Sequence, residues 1–234
     1  MGDKNKLQEG ISLYNRGNYS AALTFFLSLP EDKDNDPLEL AYYLGLCYSK
    51  LKRYDDALLY LEQVVTASAE NENVSEKEVE RVLQCRFLLA VIYCLSGRKK
   101  LADFELNKLL DTGYKPASVY SALAYVAWGQ GEVDKCLEYY NKALSEDANN
   151  PTALNGMGYV LACESTDLTK ALSYGKKALE LAPDSAACLD TMGWIYFKMG
   201  INSEAKSFLE KAQKKDSQSK EIAEHIQELQ KVGE

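Results

Sequence analysis

The 234-residue sequence predicts an all-α fold in which helical hairpins stack into a solenoid. One observation is a small residue that recurs at equivalent places in six segments: Gly10, Gly45, Ala90, Ala124, Gly158 and Gly193. A second is the short turn sequence that follows the small residue in most of these segments. A third is that each hairpin is too short to bury its own apolar face, so that neighbouring hairpins must cover it. Such an array offers an extended surface, and binding is therefore the leading functional hypothesis.

Large apolar residues follow the small residue at a fixed spacing. The spacing is clearest in the second and sixth segments, with Gly45, Tyr48, Ala57 and Leu61 in one and Gly193, Tyr196, Ala205 and Leu209 in the other. Two closely packed helices need small side chains where their axes approach and large ones beside the gap. This spacing predicts two antiparallel helices, A and B, in each segment.

The turns between helices A and B contain glycine in four segments, at Gly17, Gly97, Gly131 and Gly200. Glycine at this place predicts a left-handed residue that ends helix A. The second segment has Lys52-Arg53-Tyr54 at its turn and no glycine.

These spacings resemble the tetratricopeptide repeat (TPR), a helix-turn-helix unit of about 34 residues. The resemblance implies a right-handed superhelix of six repeats that ends in a capping helix, and the fifth and sixth repeats resemble bacterial TPR proteins most. The first repeat matches least, because Lys6 and Glu9 stand at apolar positions of the family. We expect one array made of repeats 3–36, 38–71, 83–116, 117–150, 151–185 and 186–219, followed by a capping helix at 220–232.

The longest departure from the repeat is the insertion Glu72 to Val82. It contains Ser75 and Glu78 at the spacing of a capping box, which predicts that helix A of the third repeat begins early. In the capping helix, Ile222, Ile226 and Leu229 form the stripe expected to cover the last hairpin. His225 is expected to point away from that stripe, into solvent.

Composition excludes several classes of function. The net charge of −8 disfavours binding to nucleic acid, and no apolar run reaches the roughly 18 residues of a membrane span. The six cysteines are scattered, which favours unpaired thiols and a reducing, cytoplasmic location. A periplasmic or lipid-anchored location is the alternative if a leader has been removed.

Catalysis has little support in the sequence. The chain has a single histidine, which excludes an HExxH metal site, and phosphate-binding glycine motifs are missing. We therefore expect a non-enzyme with no catalytic residues, no metal and no cofactor.

The resemblance places the binding surface on the concave face, which helix A lines in TPR proteins. Transferring the family positions to this chain gives an aromatic groove in which Asn155 can bond a ligand backbone. The expected partner-binding residues are Tyr42, Phe87, Tyr125, Trp128, Asn155, Tyr159, Asp190, Trp194 and Phe197.

The groove predicts a protein–protein interaction adaptor or scaffold that binds a peptide or a partner protein. Three alternatives remain open at this point. In the first, the aromatic residues pack against one another or against the terminal helix. In the second, a copy of the chain fills the groove in a self-assembling structural protein. In the third, the protein carries a small hydrophobic ligand in the bacterial envelope.

Overall fold

A computed structural model describes residues 4–30, 36–69 and 75–232, and these residues form thirteen α-helices and no strand. The all-α prediction is confirmed. The helices divide between two compact units, 1–114 and 115–234. Unit 1 contains α1 Lys4–Asn15, α2 Tyr19–Leu27, α3 Pro37–Lys50, α4 Tyr54–Ala69, α5 Glu76–Leu95 and α6 Lys99–Asp111. Unit 2 contains α7 Pro116–Gly129, α8 Val133–Glu146, α9 Pro151–Cys163, α10 Leu168–Leu181, α11 Ala186–Lys198, α12 Asn202–Lys215 and α13 Lys220–Val232.

Within each unit, consecutive helices pair as hairpins and the hairpins stack. In unit 1, α1 packs on α2, α3 on α4 and α5 on α6, and the first helices of neighbouring hairpins also touch. Unit 2 repeats this arrangement with α7 to α12, and α13 packs on α12 and α11. Because the first helices α7, α9 and α11 lie side by side, equivalent side chains from three hairpins share one face of unit 2.

The small residues of the repeat mark the places where helices A and B come closest. A methyl group added at Gly10 would lie 2.4 Å from the Phe26 ring, and one added at Gly193 would lie 2.6 Å from Leu209. At Gly158 the obstacle is the Ala171 carbonyl oxygen, 3.1 Å away, which belongs to the backbone. These contacts are the physical reason for the small residue in the sequence pattern.

The predicted left-handed turns are confirmed at Gly17, Gly97, Gly131 and Gly200, whose φ angles are 80°, 72°, 77° and 74°. Lys52 takes the same conformation in the second hairpin, with φ 58°. Ser165 takes it in the turn between α9 and α10, with φ 52°. A residue with a side chain pays about 1–2 kcal/mol for this conformation, so these two turns are strained relative to the glycine turns.

Replacing Ser165 with glycine relieves that strain. We expect Ser165→Gly to raise the free energy of unfolding by about 0.5–1 kcal/mol, because part of the relief is offset by the greater freedom of glycine in the unfolded chain. Urea unfolding followed by circular dichroism measures this change. The matched control is Ser145→Gly on the exposed surface of α8, where glycine should lower the free energy of unfolding by about 0.5–1 kcal/mol. A Ser165→Gly variant that is destabilised as much as Ser145→Gly would contradict the explanation.

The capping box predicted before the third repeat is confirmed. Ser75 Oγ accepts a hydrogen bond from the Glu78 backbone N–H, and the Glu78 carboxylate accepts one from the Ser75 N–H at 2.7 Å. The helix it starts, α5, has 20 residues and begins ahead of the expected repeat boundary at residue 83. The preceding part of the insertion, residues 72–74, lies outside the described residues.

The terminal helix α13 covers the last hairpin as expected, with Ile222 packed against Leu189 and Ala212. The expectation for His225 was wrong. Its side chain is buried, with 6% of the residue exposed, because α13 turns it toward α11 instead of solvent. The terminal helix is therefore fastened by a polar contact as well as by its apolar stripe.

The six cysteines are all unpaired, as the sequence predicted. Four of them, Cys47, Cys85, Cys136 and Cys188, are buried. Burial raises the pKa of the Cys85 and Cys136 thiols to about 12, so they remain protonated at neutral pH. None of the helices that the structure describes combines the length and the apolar character needed to cross a bilayer.

Candidate binding surface

The first helices of the unit 2 hairpins bring six of the expected binding residues to one region. We call it the aromatic surface, and it consists of Tyr125 and Trp128 on α7, Asn155 and Tyr159 on α9, and Trp194 and Phe197 on α11. Residues three or four apart lie on the same side of a helix, and α7, α9 and α11 are neighbours.

Two ring contacts join parts of the aromatic surface. Trp128 and Tyr159 meet edge to face, with centroids 6.2 Å apart and planes at 80°. Trp194 and Phe197 lie 5.1 Å apart on α11. Tyr125 differs from these four rings because half of it is exposed (50%). Aromatic pairs of this kind fix side-chain positions, so the surface is largely ordered before any partner arrives.

One side of the aromatic surface is covered by α13. The His225 imidazole stacks on Trp194 with centroids 4.1 Å apart, and it lies 6.0 Å from the Tyr159 ring. His225 Nδ1 is 3.0 Å from both carboxylate oxygens of the buried residue Asp190. Since a carboxylate accepts, Nδ1 carries the hydrogen and donates it. Asp190 and Trp194 thus hold the terminal helix.

Glu221 adds a second polar contact between α13 and the aromatic surface. The Glu221 carboxylate and the Cys163 thiol both lie close to the Tyr159 hydroxyl. Burial is the main reason that the pKa of Tyr159 is raised, and the charge of Glu221 raises it further. Burial likewise raises the pKa of Cys163. Tyr159 is therefore a neutral hydrogen-bond donor at physiological pH.

Two polar atoms at the aromatic surface are buried and lack a hydrogen-bond partner among the described residues. They are Asn155 Oδ1, an acceptor, and Trp194 Nε1, a donor that lies close to the Cys163 thiol. A buried polar atom without a partner costs about 1–3 kcal/mol. Each therefore has hydrogen-bonding capacity that the folded chain itself does not use, and a ligand group reaches it once the side chains that cover it shift.

The two expected residues in unit 1 have internal contacts. The Tyr42 hydroxyl donates to Gln84 Oε1 at 2.7 Å, and the Arg81 guanidinium lies 5.7 Å from the Tyr42 ring. Tyr42 is buried, whereas Phe87 is half-buried and packs against Tyr114 with centroids 6.4 Å apart. A role for Tyr42 and Phe87 in binding stays a prediction.

The sequence reasoning missed His225 and Glu221. A signal was available, because Ile222, His225, Ile226 and Leu229 follow the i, i+3, i+4, i+7 spacing of one helix face. Because histidine is polar, it was not counted as part of the buried stripe of this helix. The pairing of His225 with Asp190, 35 residues away, had no sequence signal.

With this geometry established, comparison with known proteins identifies the family. The model described as "Tetratricopeptide repeat" matches residues 7–72 and 121–186, and a second model of the same description matches 187–219. The chain belongs to the tetratricopeptide repeat family. The resemblance inferred from the repeat pattern is therefore confirmed. TPR proteins generally mediate protein–protein interactions, and the family is typically non-catalytic.

Individual relatives cover the chain to different extents. It is 25% identical over 239 residues to "Protein CTR9 homolog" of Arabidopsis thaliana, covering 87% of this chain and 22% of that protein. A TPR repeat-containing protein of Pseudomonas aeruginosa is 35% identical over 85 residues, 36% of this chain and 14% of that protein. The chain thus spans less than a quarter of either relative.

A solved structure shows the same fold. The crystal structure of a tetratricopeptide repeat protein from Parabacteroides merdae matches with a TM-score of 0.74 at 14% identity, covering 96% of this chain and 82% of that one. At this level of identity, the likeness concerns the fold alone.

Proposed function

We propose that this TPR protein is a non-catalytic adaptor that binds a segment of a partner protein on the aromatic surface of unit 2. The observation that carries the proposal is the half-exposed Tyr125 on α7 together with the unpartnered acceptor Asn155 Oδ1 on the adjacent helix α9. An exposed aromatic ring on one helix and an unused acceptor on the next suit a peptide, which has apolar side chains and backbone N–H donors.

The local packing supports this choice of residues. The Tyr140 side chain of α8 reaches α9, where a methyl group added at Gly156 would lie 2.1 Å from its ring. Burial raises the Tyr140 pKa, and the nearby Cys136 and Tyr125 side chains raise it further. Tyr140 therefore supports both sides of the Tyr125–Asn155 region. A peptide side chain that covers Tyr125 gains contact area without displacing a buried side chain of the protein.

Within this proposal the expected binding residues divide by role. Tyr125, Trp128, Asn155 and Tyr159 form the contact region, and Phe197 lies at the far end of it. Asp190 and Trp194 act through α13, because both already contact His225. Asp190 and Trp194 therefore lie at the edge of the peptide site. They hold His225 of α13, which lies beside the Tyr159 ring and keeps it in place.

The test is affinity capture from a lysate of the source organism with a Tyr125→Ala, Asn155→Ala variant. We expect the captured partner to be retained at least about thirtyfold less well than by the unmodified protein, since a central interface residue contributes about 2 kcal/mol or more. Circular dichroism before the capture checks that the variant keeps its helix content.

The matched control is Phe104→Ala, which removes an equally exposed aromatic ring (53%) from α6 in unit 1. This variant should retain the partner fully. Equal capture by both variants would place binding elsewhere. Recovery of the chain alone, with a mass above the monomer by light scattering, would favour the self-assembling structural protein.

We also infer a cytoplasmic location. Its support is the state of the six cysteines, all of which are unpaired in the structure. Disulfides form and persist in oxidising compartments, whereas reducing compartments keep thiols free. Cellular fractionation with an antibody against the protein tests the location directly.

A further inference from the structure

Three ligand-type side chains meet where α13 joins α11. Asp190 of α11 and Glu221 and His225 of α13 each offer one nitrogen or oxygen atom, and these atoms lie within 4.8 Å of one another. Glu221 and His225 are four residues apart and therefore lie on the same face of α13. Two helices that are far apart in the sequence thus supply one compact cluster.

The spacing of Asp190 and His225 suits a metal ion in place of a hydrogen. The Nδ1 atom is 3.0 Å from each Asp190 carboxylate oxygen. Metal–nitrogen and metal–oxygen bonds of about 2.0–2.1 Å at a tetrahedral angle put the two ligand atoms about 3.3 Å apart. An ion that replaces the Nδ1 hydrogen therefore needs only about 0.3 Å of movement between these two residues, and the hydrogen moves to Nε2, which keeps the imidazole neutral.

The surroundings hold the ligand groups in position. The His225 ring is stacked on Trp194, and the Glu221 carboxylate lies close to the Tyr159 hydroxyl. Residues behind the ligands of metal sites commonly have this function, because they fix ring orientation and carboxylate direction. Glu221 is exposed, so an ion has a path from solvent to the buried pair.

Charge also favours a cation here. Asp190 is buried, with 4% exposed, and a buried carboxylate requires a compensating positive charge or strong hydrogen bonds. The Asp190 and Glu221 carboxylates together match the charge of a divalent ion bound with a neutral imidazole. The nearest lysine along the helix, Lys198, lies over the Trp194 ring at 5.4 Å.

We propose that Asp190, Glu221 and His225 bind one divalent transition-metal ion, with Zn²⁺ as the representative ion, which joins α13 to α11. The mixed nitrogen and oxygen ligands favour such an ion over Mg²⁺ or Ca²⁺, which prefer oxygen ligands alone. Three protein ligands leave one position of a tetrahedral site for water on the Glu221 side. The proposal does not depend on partner binding at Tyr125.

The single histidine of the chain makes a direct test possible. The 234-residue chain labelled with ¹⁵N-histidine and freed of metal by a chelator has one imidazole in its nuclear magnetic resonance spectrum. Adding Zn²⁺ should shift the Nδ1 resonance and reach completion at one equivalent, whereas Mg²⁺ should leave it unchanged. Imidazole resonances that stay in place up to millimolar Zn²⁺ would overturn the proposal, including the case in which a thiol such as Cys163 takes the ion.

Variants test the two carboxylates. We expect Asp190→Asn and Glu221→Gln each to weaken Zn²⁺ binding by at least about tenfold in calorimetric titration, the smallest loss usual for a metal-site residue. Glu224→Gln is the matched control, since it removes an exposed carboxylate from the same helix and should leave the affinity unchanged. Equal affinity in all three variants would refute the assigned ligands. Should Asp190→Asn unfold, the ¹⁵N titration of unmodified protein still decides the question.

Discussion

Phe26→Ala should lower the free energy of unfolding of unit 1 by about 3–5 kcal/mol. The Phe26 ring is 1% exposed, touches the Gly10 backbone and stacks on Tyr43 with centroids 5.5 Å apart. Its removal leaves a cavity at the point where α1 crosses α2, and glycine at position 10 has no side chain to fill it. Urea unfolding followed by circular dichroism measures the loss.

The control for Phe26→Ala is Phe104→Ala, the same chemical change at a ring that is 53% exposed. This change should lower the free energy of unfolding by only about 0.5–1 kcal/mol, because it removes the cation–π contact between the Phe104 ring and the Lys108 ammonium, which lies 4.3 Å from the ring centroid. Because stacked repeats can open separately, hydrogen exchange should show the loss of protection mainly in α1 to α4. Similar losses for both variants would contradict the packing described at Gly10.

Leu209→Ala should destabilise unit 2 by about 2–5 kcal/mol. Leu209 of α12 is fully buried and lies against Gly193 of α11, where an added methyl group would be 2.6 Å from it. Leu181→Ala is the matched control, because Leu181 is 46% exposed and its truncation removes little buried area.

A double variant tests whether Gly193 and Leu209 act as one contact. Gly193→Ala alone should cost about 1–3 kcal/mol, because the new methyl group collides with Leu209. In Gly193→Ala, Leu209→Ala the collision is relieved and the methyl group fills part of the cavity, so the combined loss should be smaller than the sum. Some cost should remain, since the Leu209 backbone nitrogen lies 3.1 Å from the added carbon. Additive losses would mean that the two residues do not interact.

The repeat pattern predicted most of the local structure correctly, and the reason lies in short-range geometry. The Gly10 and Gly193 contacts are made within a single hairpin, and the left-handed turn at Gly131 and the capping box at Ser75 involve residues less than five apart. Interactions over such distances leave a signature in residue type and spacing.

The surface was predicted less completely. The helix A spacing correctly placed Tyr125, Asn155 and Trp194 on the first helices of three successive hairpins, because the repeat fixes the order of the helices. It did not reveal that His225 stacks on Trp194, since that contact depends on how far α13 rotates when it packs on α12 and α11. A helix that follows the last repeat has no repeat pattern to specify its orientation.

By itself, then, the sequence determined the all-α class, the helical hairpins and the small residues at their crossings, because 3.6-residue periodicity and glycine at close contacts act over short distances along the chain. The tertiary structure decided which side chains far apart in the sequence come into contact. It turned His225 inward to Asp190, left Asn155 Oδ1 without a partner and gathered Glu221 beside them. These outcomes depend on the packing angle of whole helices, a property that no local pattern encodes.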